Sequence, residues 1–185
     1  DREMQRNLAV PYAKLGAVLL QEGDLDAAEA SFRNGQAIVA PNLQANPQAL
    51  MPRADNAEFY WRLGLVARKR GDLAAAVTSL SRSVDLLLSL NNDQPENRSY
   101  LTDIVENARD LGDAQAATGD RTGAAISYGR SLQAATYIAA RELSNPASQR
   151  DLALTLFQMA RDLGGEGAWA KAAAQYEKLA ALGPL

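Results

Sequence analysis

Paired carboxylates at helical spacing, Asp103 with Glu106 and Asp110 with Asp113, are the residue types that share general acid and base work. Arg68-Lys69-Arg70 runs directly into Gly71-Asp72, an order to be weighed as a nucleic-acid patch or a phosphate cradle. Two glycine-bearing stretches, "GDRTG" at 119–123 and "LGGEGAW" at 163–169, stand in similar surroundings. None of these survives as a reaction centre. The sequence contains no histidine and no cysteine, which removes the usual general base, thiolate nucleophiles, disulfides and the imidazole and thiolate metal ligands. Carboxylates on a helix exterior then read as solubilising groups. The basic run lacks the G-x-x-x-x-G-K-[ST] order of a phosphate loop, and no strand-like stretch precedes it. A formal charge of −3 and a pI near 5.1 speak against nucleic acid as a partner. No catalytic residue, metal site or cofactor is expected.

Stepping along the chain explains these features better. Gly23-Asp24, Gly71-Asp72 and Gly119-Asp120 recur every 48 residues, and Gly167 stands where the fourth pair is due. Four rows begin near Asn7, Asp55, Asp103 and Asp151, in register without insertion or deletion. Leu15, Leu63, Leu111 and Met159 share a column, followed by Gly16, Gly64, Gly112 and Ala160, and Leu15 with Gly16 is expected in the hairpin core. After each turn come Ala28, Ala76, Ala124 and Ala172, and four residues later Phe32, Leu80, Tyr128 and Tyr176. A small residue allows two helices to approach, and a large one four positions after an alanine lies on the same face. Apolar residues recur at helical spacing (Leu8, Tyr12, Leu15, Leu19), and no stretch alternates with period two. Each row is therefore expected to be a helical hairpin. Asp24, Asp72 and Asp120 are its N-caps, and prolines 47, 52, 95 and 146 mark the seams. Pro11 and Pro41 fall inside expected helices, where a kink or an early end is anticipated. The basic run is then a helix end whose charge complements the C-terminal dipole.

The columns resemble the tetratricopeptide repeat. Tyr12-Ala-Lys-Leu15-Gly16-Ala-Val-Leu19 with Ala28-Glu-Ala-Ser-Phe32 follows its W-x-x-L-G-x-x-Y and A-x-x-x-F pattern. Row two repeats it with Tyr60-Trp-Arg-Leu63-Gly64 and Ala76-Val-Thr-Ser-Leu80, row three with Leu111-Gly112 and Ala124-Ala-Ile-Ser-Tyr128, and row four with Ala172-Ala-Ala-Gln-Tyr176. The family unit is about 34 residues, and the 48-residue step here adds roughly two turns to each helix. This is similar to the long-helix arrays of kinesin light chains and of bacterial signalling proteins. The resemblance implies an all-α, right-handed superhelical solenoid of four antiparallel hairpins, a single domain over 1–185 with repeats near 3–46, 47–94, 95–142 and 146–183.

The resemblance also implies that first helices line a concave groove. The inward places hold Glu58, Trp61, Arg62, Leu65, Arg68 and Lys69 in row two, and Val10, Ala13, Ala17, Leu20 and Gln21 in row one. Rows three and four supply Glu106, Arg109, Asp110 and Asp113, then Leu154, Phe157, Gln158 and Arg161. Trp and Arg are the types that dominate interface energies, and Arg grips a carboxylate with two hydrogen bonds. Trp61 is equally suited to packing between hairpins. The family's carboxylate clamp for chaperone tails needs Lys and Asn where Ala13 and Ala17 stand, so another peptide or protein partner, with acidic character, is expected. Two roles fit: an interaction scaffold, or a regulatory or sensor arm of a larger protein. An autonomous enzyme ranks behind both. No apolar run approaches the roughly 20 residues of a bilayer span, the charged start "DREMQRN" is unlike a signal peptide, and membrane insertion is not expected. A first residue other than Met suggests a chain processed or cut from something longer. The last helix, 169–182, has an apolar face with no following repeat, which suggests a homo-oligomer through it.

Overall fold

The computed structural model describes residues 2–165 and 167–182, with side chains from Leu8 onward. These residues form eight α-helices and no strand: α1 (Arg2–Glu22), α2 (Leu25–Ala45), α3 (Leu50–Arg70), α4 (Leu73–Asp93), α5 (Arg98–Ala117), α6 (Arg121–Arg141), α7 (Pro146–Leu163) and α8 (Ala168–Ala180). They fall into two compact units, Asp1–Asp93 and Gln94–Leu185. In the first, α1 pairs with α2 and α3 with α4, while α2 and α3 join the hairpins; in the second, α5 to α8 repeat that order.

Each hairpin turns as the Gly-Asp pairs require. Gly23, Gly71 and Gly119 hold φ between 83° and 86°, a left-handed conformation that ends the first helix. Asp24, Asp72 and Asp120 then accept from the backbone N–H three residues on, at 3.1, 3.0 and 2.8 Å. Gly167 also has positive φ but caps α8 without a side chain. Packing follows the small and large columns. A methyl placed on Gly64 would fall 2.6 Å from Leu80, and one on Gly112 2.8 Å from the Tyr128 ring. The repeat extends to buried polar bonds. Ser83 donates to the Ala57 carbonyl and Ser131 to the Val105 carbonyl, both at 2.7 Å, and one bond follows the other by 48 residues.

Four expectations change. Pro11 and Pro41 lie inside uninterrupted helices, so neither ends one; both are exposed, and water can serve a carbonyl left without its amide donor. Leu15 is not core: it is 52% exposed where Leu63 is 8% exposed. The column is the same, but α3 has α2 against that face and α1 has nothing there among the described residues. The basic run ties helices together instead of merely meeting solvent. Lys69 donates to the Leu20 carbonyl at 2.8 Å, and Arg70 grips Glu29 and Asp26 of α2. Finally, α4, with mean hydropathy 1.4 over its most apolar stretch, is long and apolar enough to cross a bilayer by length and composition. In this fold its Ala76, Leu80, Val84, Leu87 and Leu90 are buried, and it packs on α3.

Candidate functional site

The first unit has a hollow of about 260 Å³ between α1 and α3. Its wall on α1 is built from Ala9, Val10, Ala13 and Ala17, three alanines at i, i+4 and i+8 that leave a furrow along the helix. Phe59 of α3 adds an aromatic surface. Around this apolar ground stand Lys14, Asp55, Glu58 and Arg62. Arg62 is held by Glu58 one turn earlier at 2.7 Å, and its guanidinium lies 4.7 Å from the centre of the Trp61 ring. Both partners of that ion pair are partly exposed, so the pair orients Arg62 without adding much stability.

Of the residues expected to face a groove, Glu58 and Arg62 line this hollow. Trp61 and Leu65 are half-buried on the same helix and outside its lining, with Trp61 serving as the plate beneath Arg62. Arg68 is half-buried near the helix end, and Lys69 is committed to the end of α1. The composition of the hollow was missed in the sequence because it is written in small residues. Val10, Ala13 and Ala17 stand among the expected inward places and do line the hollow, but the space that their small size leaves was not read.

The corresponding face of the second unit is cross-linked. Asp113 accepts from the Tyr128 hydroxyl at 2.6 Å, from Gln158 Nε2 at 2.9 Å and from Arg161 Nη2 at 3.1 Å. Tyr128 also meets Asp162, which Arg161 binds through Nε at 2.5 Å. One phenolic hydrogen thus serves two carboxylates on α5 and α7. Burial first, then these two carboxylates, drive the Tyr128 pKa far above its usual range, while the Arg161 guanidinium lowers that of Asp162. Asp113 and Arg161, read in the sequence as groove residues, are engaged with each other across α5 and α7. Arg109 and Gln158 each keep one solvent-shielded atom, Nη1 and Oε1, without a hydrogen-bond partner. Phe157 is partly exposed and meets Trp169 and Tyr176 edge-on, with ring centres 5.6 and 6.4 Å away.

Two other hollows are larger. One, of about 350 Å³ among α2, α3 and α4, contains Arg33 and Arg70, both paired with Glu29, and Asp72, which caps α4. The other, of about 410 Å³ among α6, α7 and α8, includes Leu143, Leu152, Lys178 and Leu182, with a single charged group at its edge. The first thus has charges engaged between helices and the second has one charge, whereas the α1–α3 hollow keeps Lys14 and Arg62 beside apolar ground. Among the described residues, no group of three or more acidic side chains is placed to hold a metal ion.

Comparison with solved structures establishes the architecture. A de novo designed helical repeat protein, DHR64, superposes with a TM-score of 0.57 at 18% identity, over 98% of this chain and 96% of that one. The fold is an all-α helical-repeat solenoid. The MamA protein aligns over 94% of this chain and 91% of its own at 14% identity, with a TM-score of 0.37. No family model matches the sequence, and no curated protein matches it significantly.

Proposed function

We propose that the chain is an interaction module of the tetratricopeptide type, in a long-helix form, that holds a segment of a partner protein in the hollow between α1 and α3. The hollow itself carries this reading. At about 260 Å³ it is below the 300–1,000 Å³ common for small-molecule sites and suits one or two side chains of a peptide. A large apolar residue of the partner sits against Ala9, Ala13, Ala17 and Phe59, and an acidic neighbour meets Lys14 and Arg62. The close approach of Gly16, Gly64 and Gly112 to Phe32, Leu80 and Tyr128 supports the family assignment, since this small-to-large contact is what the repeat pattern demands.

Selection of a displayed library of random 12-residue peptides on the purified chain tests the proposal. Recovered peptides should combine an aromatic or large aliphatic residue with an acidic one. They should lose about tenfold or more in affinity for Ala13→Trp, which fills the furrow with a residue that α3 already carries at the equivalent place, Trp61. Peptides that bind the variant and the parent equally place the site elsewhere.

A further inference from the structure

Within each unit, the second helix of one hairpin meets the first helix of the next through fixed places in the repeat. In the first unit, Gln36 Nε2 donates to Asn56 Oδ1 at 2.9 Å, the Phe59 ring fills the space at Gly35, and Arg70 reaches Glu29 and Asp26. Leu63 and Val66 are buried on the same face. In the second unit, Ser131 Oγ lies 3.1 Å from Thr155 Oγ1, Tyr128 meets Asp162, and Arg121 donates to the carbonyls of Asp162 and Leu163 at 3.0 and 2.6 Å. One joint is thus made twice, with different side chains at the same columns.

Both halves of that joint occur a third time, uncovered. Counting back 48 residues from Asn56, Phe59, Leu63 and Val66 gives Leu8, Pro11, Leu15 and Val18 of α1. All four are apolar and exposed, Leu8 by 57% and Val18 by 50%. Counting forward from Arg121 and Tyr128 gives Trp169 and Tyr176 of α8, 52% and 39% exposed, each meeting Phe157 at a ring edge.

We infer that copies of this chain join head to tail, the α8 face of one seating on the α1 face of the next in the geometry of the α2–α3 and α6–α7 joints. The occupant is a second copy because this chain carries both sides of a joint it already makes internally. Charge contributes little to the seating. Glu22 and Glu177, both exposed, stand at the places of Arg70 and Arg33 at the rim, and the counterparts of Asp26 and Glu29 are Ala170 and Ala173. The contact is heterologous: Leu15 of one copy faces Tyr176 of another and not a second Leu15.

Sedimentation of the 185-residue chain over a wide concentration range, with Leu15→Glu and Trp169→Glu, tests this. Both positions are exposed, so circular dichroism should show unchanged helicity. The parent should associate with rising concentration, and each variant should weaken association by about a hundredfold, because a carboxylate would be buried unpaired. An equimolar mixture of the two variants should restore one complex that stops at two chains. Because the chain has no cysteine, Val18→Cys and Tyr176→Cys, both exposed and at the places of the Asp162–Tyr128 contact, should be joined by a short thiol-reactive cross-linker only when mixed. A parent that stays monomeric throughout overturns the inference. So does association lost with Leu15→Glu but untouched by Trp169→Glu, which marks a symmetric α1 contact, or a mixture that restores nothing.

Discussion

The inner faces of the two units use the same columns of one repeat to opposite ends. On α1, Ala13 and Ala17 leave a furrow bounded by Lys14 and Arg62, and the same columns hold Trp61 and Leu65 on α3; on α5 and α7 they hold Arg109, Asp113, Phe157 and Arg161. Asp113 and Arg161 of that second set are consumed internally, since Asp113 takes bonds from Tyr128, Gln158 and Arg161. Charge at a groove position is therefore no guide to a binding role. Arg161, bound to Asp113 on another helix, is part of the scaffold, whereas Arg62 has its partner Glu58 on its own helix, partly exposed, beside small apolar residues that leave room for a guest.

The largest effect expected from breaking this arrangement comes at the small-to-large contacts common to both units. Gly64→Leu and Gly112→Leu drive a side chain into Leu80 and Tyr128, and each should cost about 3 kcal/mol or more, read as a fall in urea midpoint. Gly129→Ala is the matched control. Nothing lies near a methyl there, so removing a helix glycine should add up to about 1 kcal/mol. A smaller effect separates the units. Tyr128→Phe leaves Asp113 and Asp162 without their phenol, and should lose about 1–3 kcal/mol while leaving peptide affinity at the α1–α3 hollow unchanged.

Titration sharpens the same contrast. The Tyr128 pKa is raised in the folded chain, so the protonated phenol contributes stability that is complete below the ordinary tyrosine range near pH 10 and is lost above it. Urea midpoints measured between pH 9 and 11 should fall in the parent, and less in Tyr128→Phe. Glu142, held to about 2 by hydrogen bonds from Arg98 and then Ser148, acts in the other direction. Its contribution is present above the unfolded value of 4.5 and disappears as pH falls toward 2, so Glu142→Gln should flatten the acid limb. The smallest expected effect is at the rim: Arg62→Glu should weaken acidic peptides several-fold by reversing one partly exposed charge, with helicity retained.

Much of the fold was legible in the sequence because the glycine turn, the Ala column and the small-to-large contact are local and keep a 48-residue step. Leu15 was misread for a definite reason. A column treats every row alike, but the first helix lacks the preceding helix that buries Leu63. The role of Asp113 was hidden because it depends on a hydroxyl in another helix. Its one signal was tyrosine at 128 where the same column holds Phe32 and Leu80, together with Asp113 and Asp162 nearly one repeat apart. The hollow was hidden because inspection weighs large and charged residues, and this space is defined by what Ala9, Ala13 and Ala17 do not fill.

Hydrogen exchange of the chain, with and without a peptide recovered by display, tests most directly which face receives the partner. Slowed exchange concentrated in residues 9–17 of α1 and 55–62 of α3 is the predicted result. Protection confined to residues 109–113 of α5 and 157–161 of α7 would contradict it.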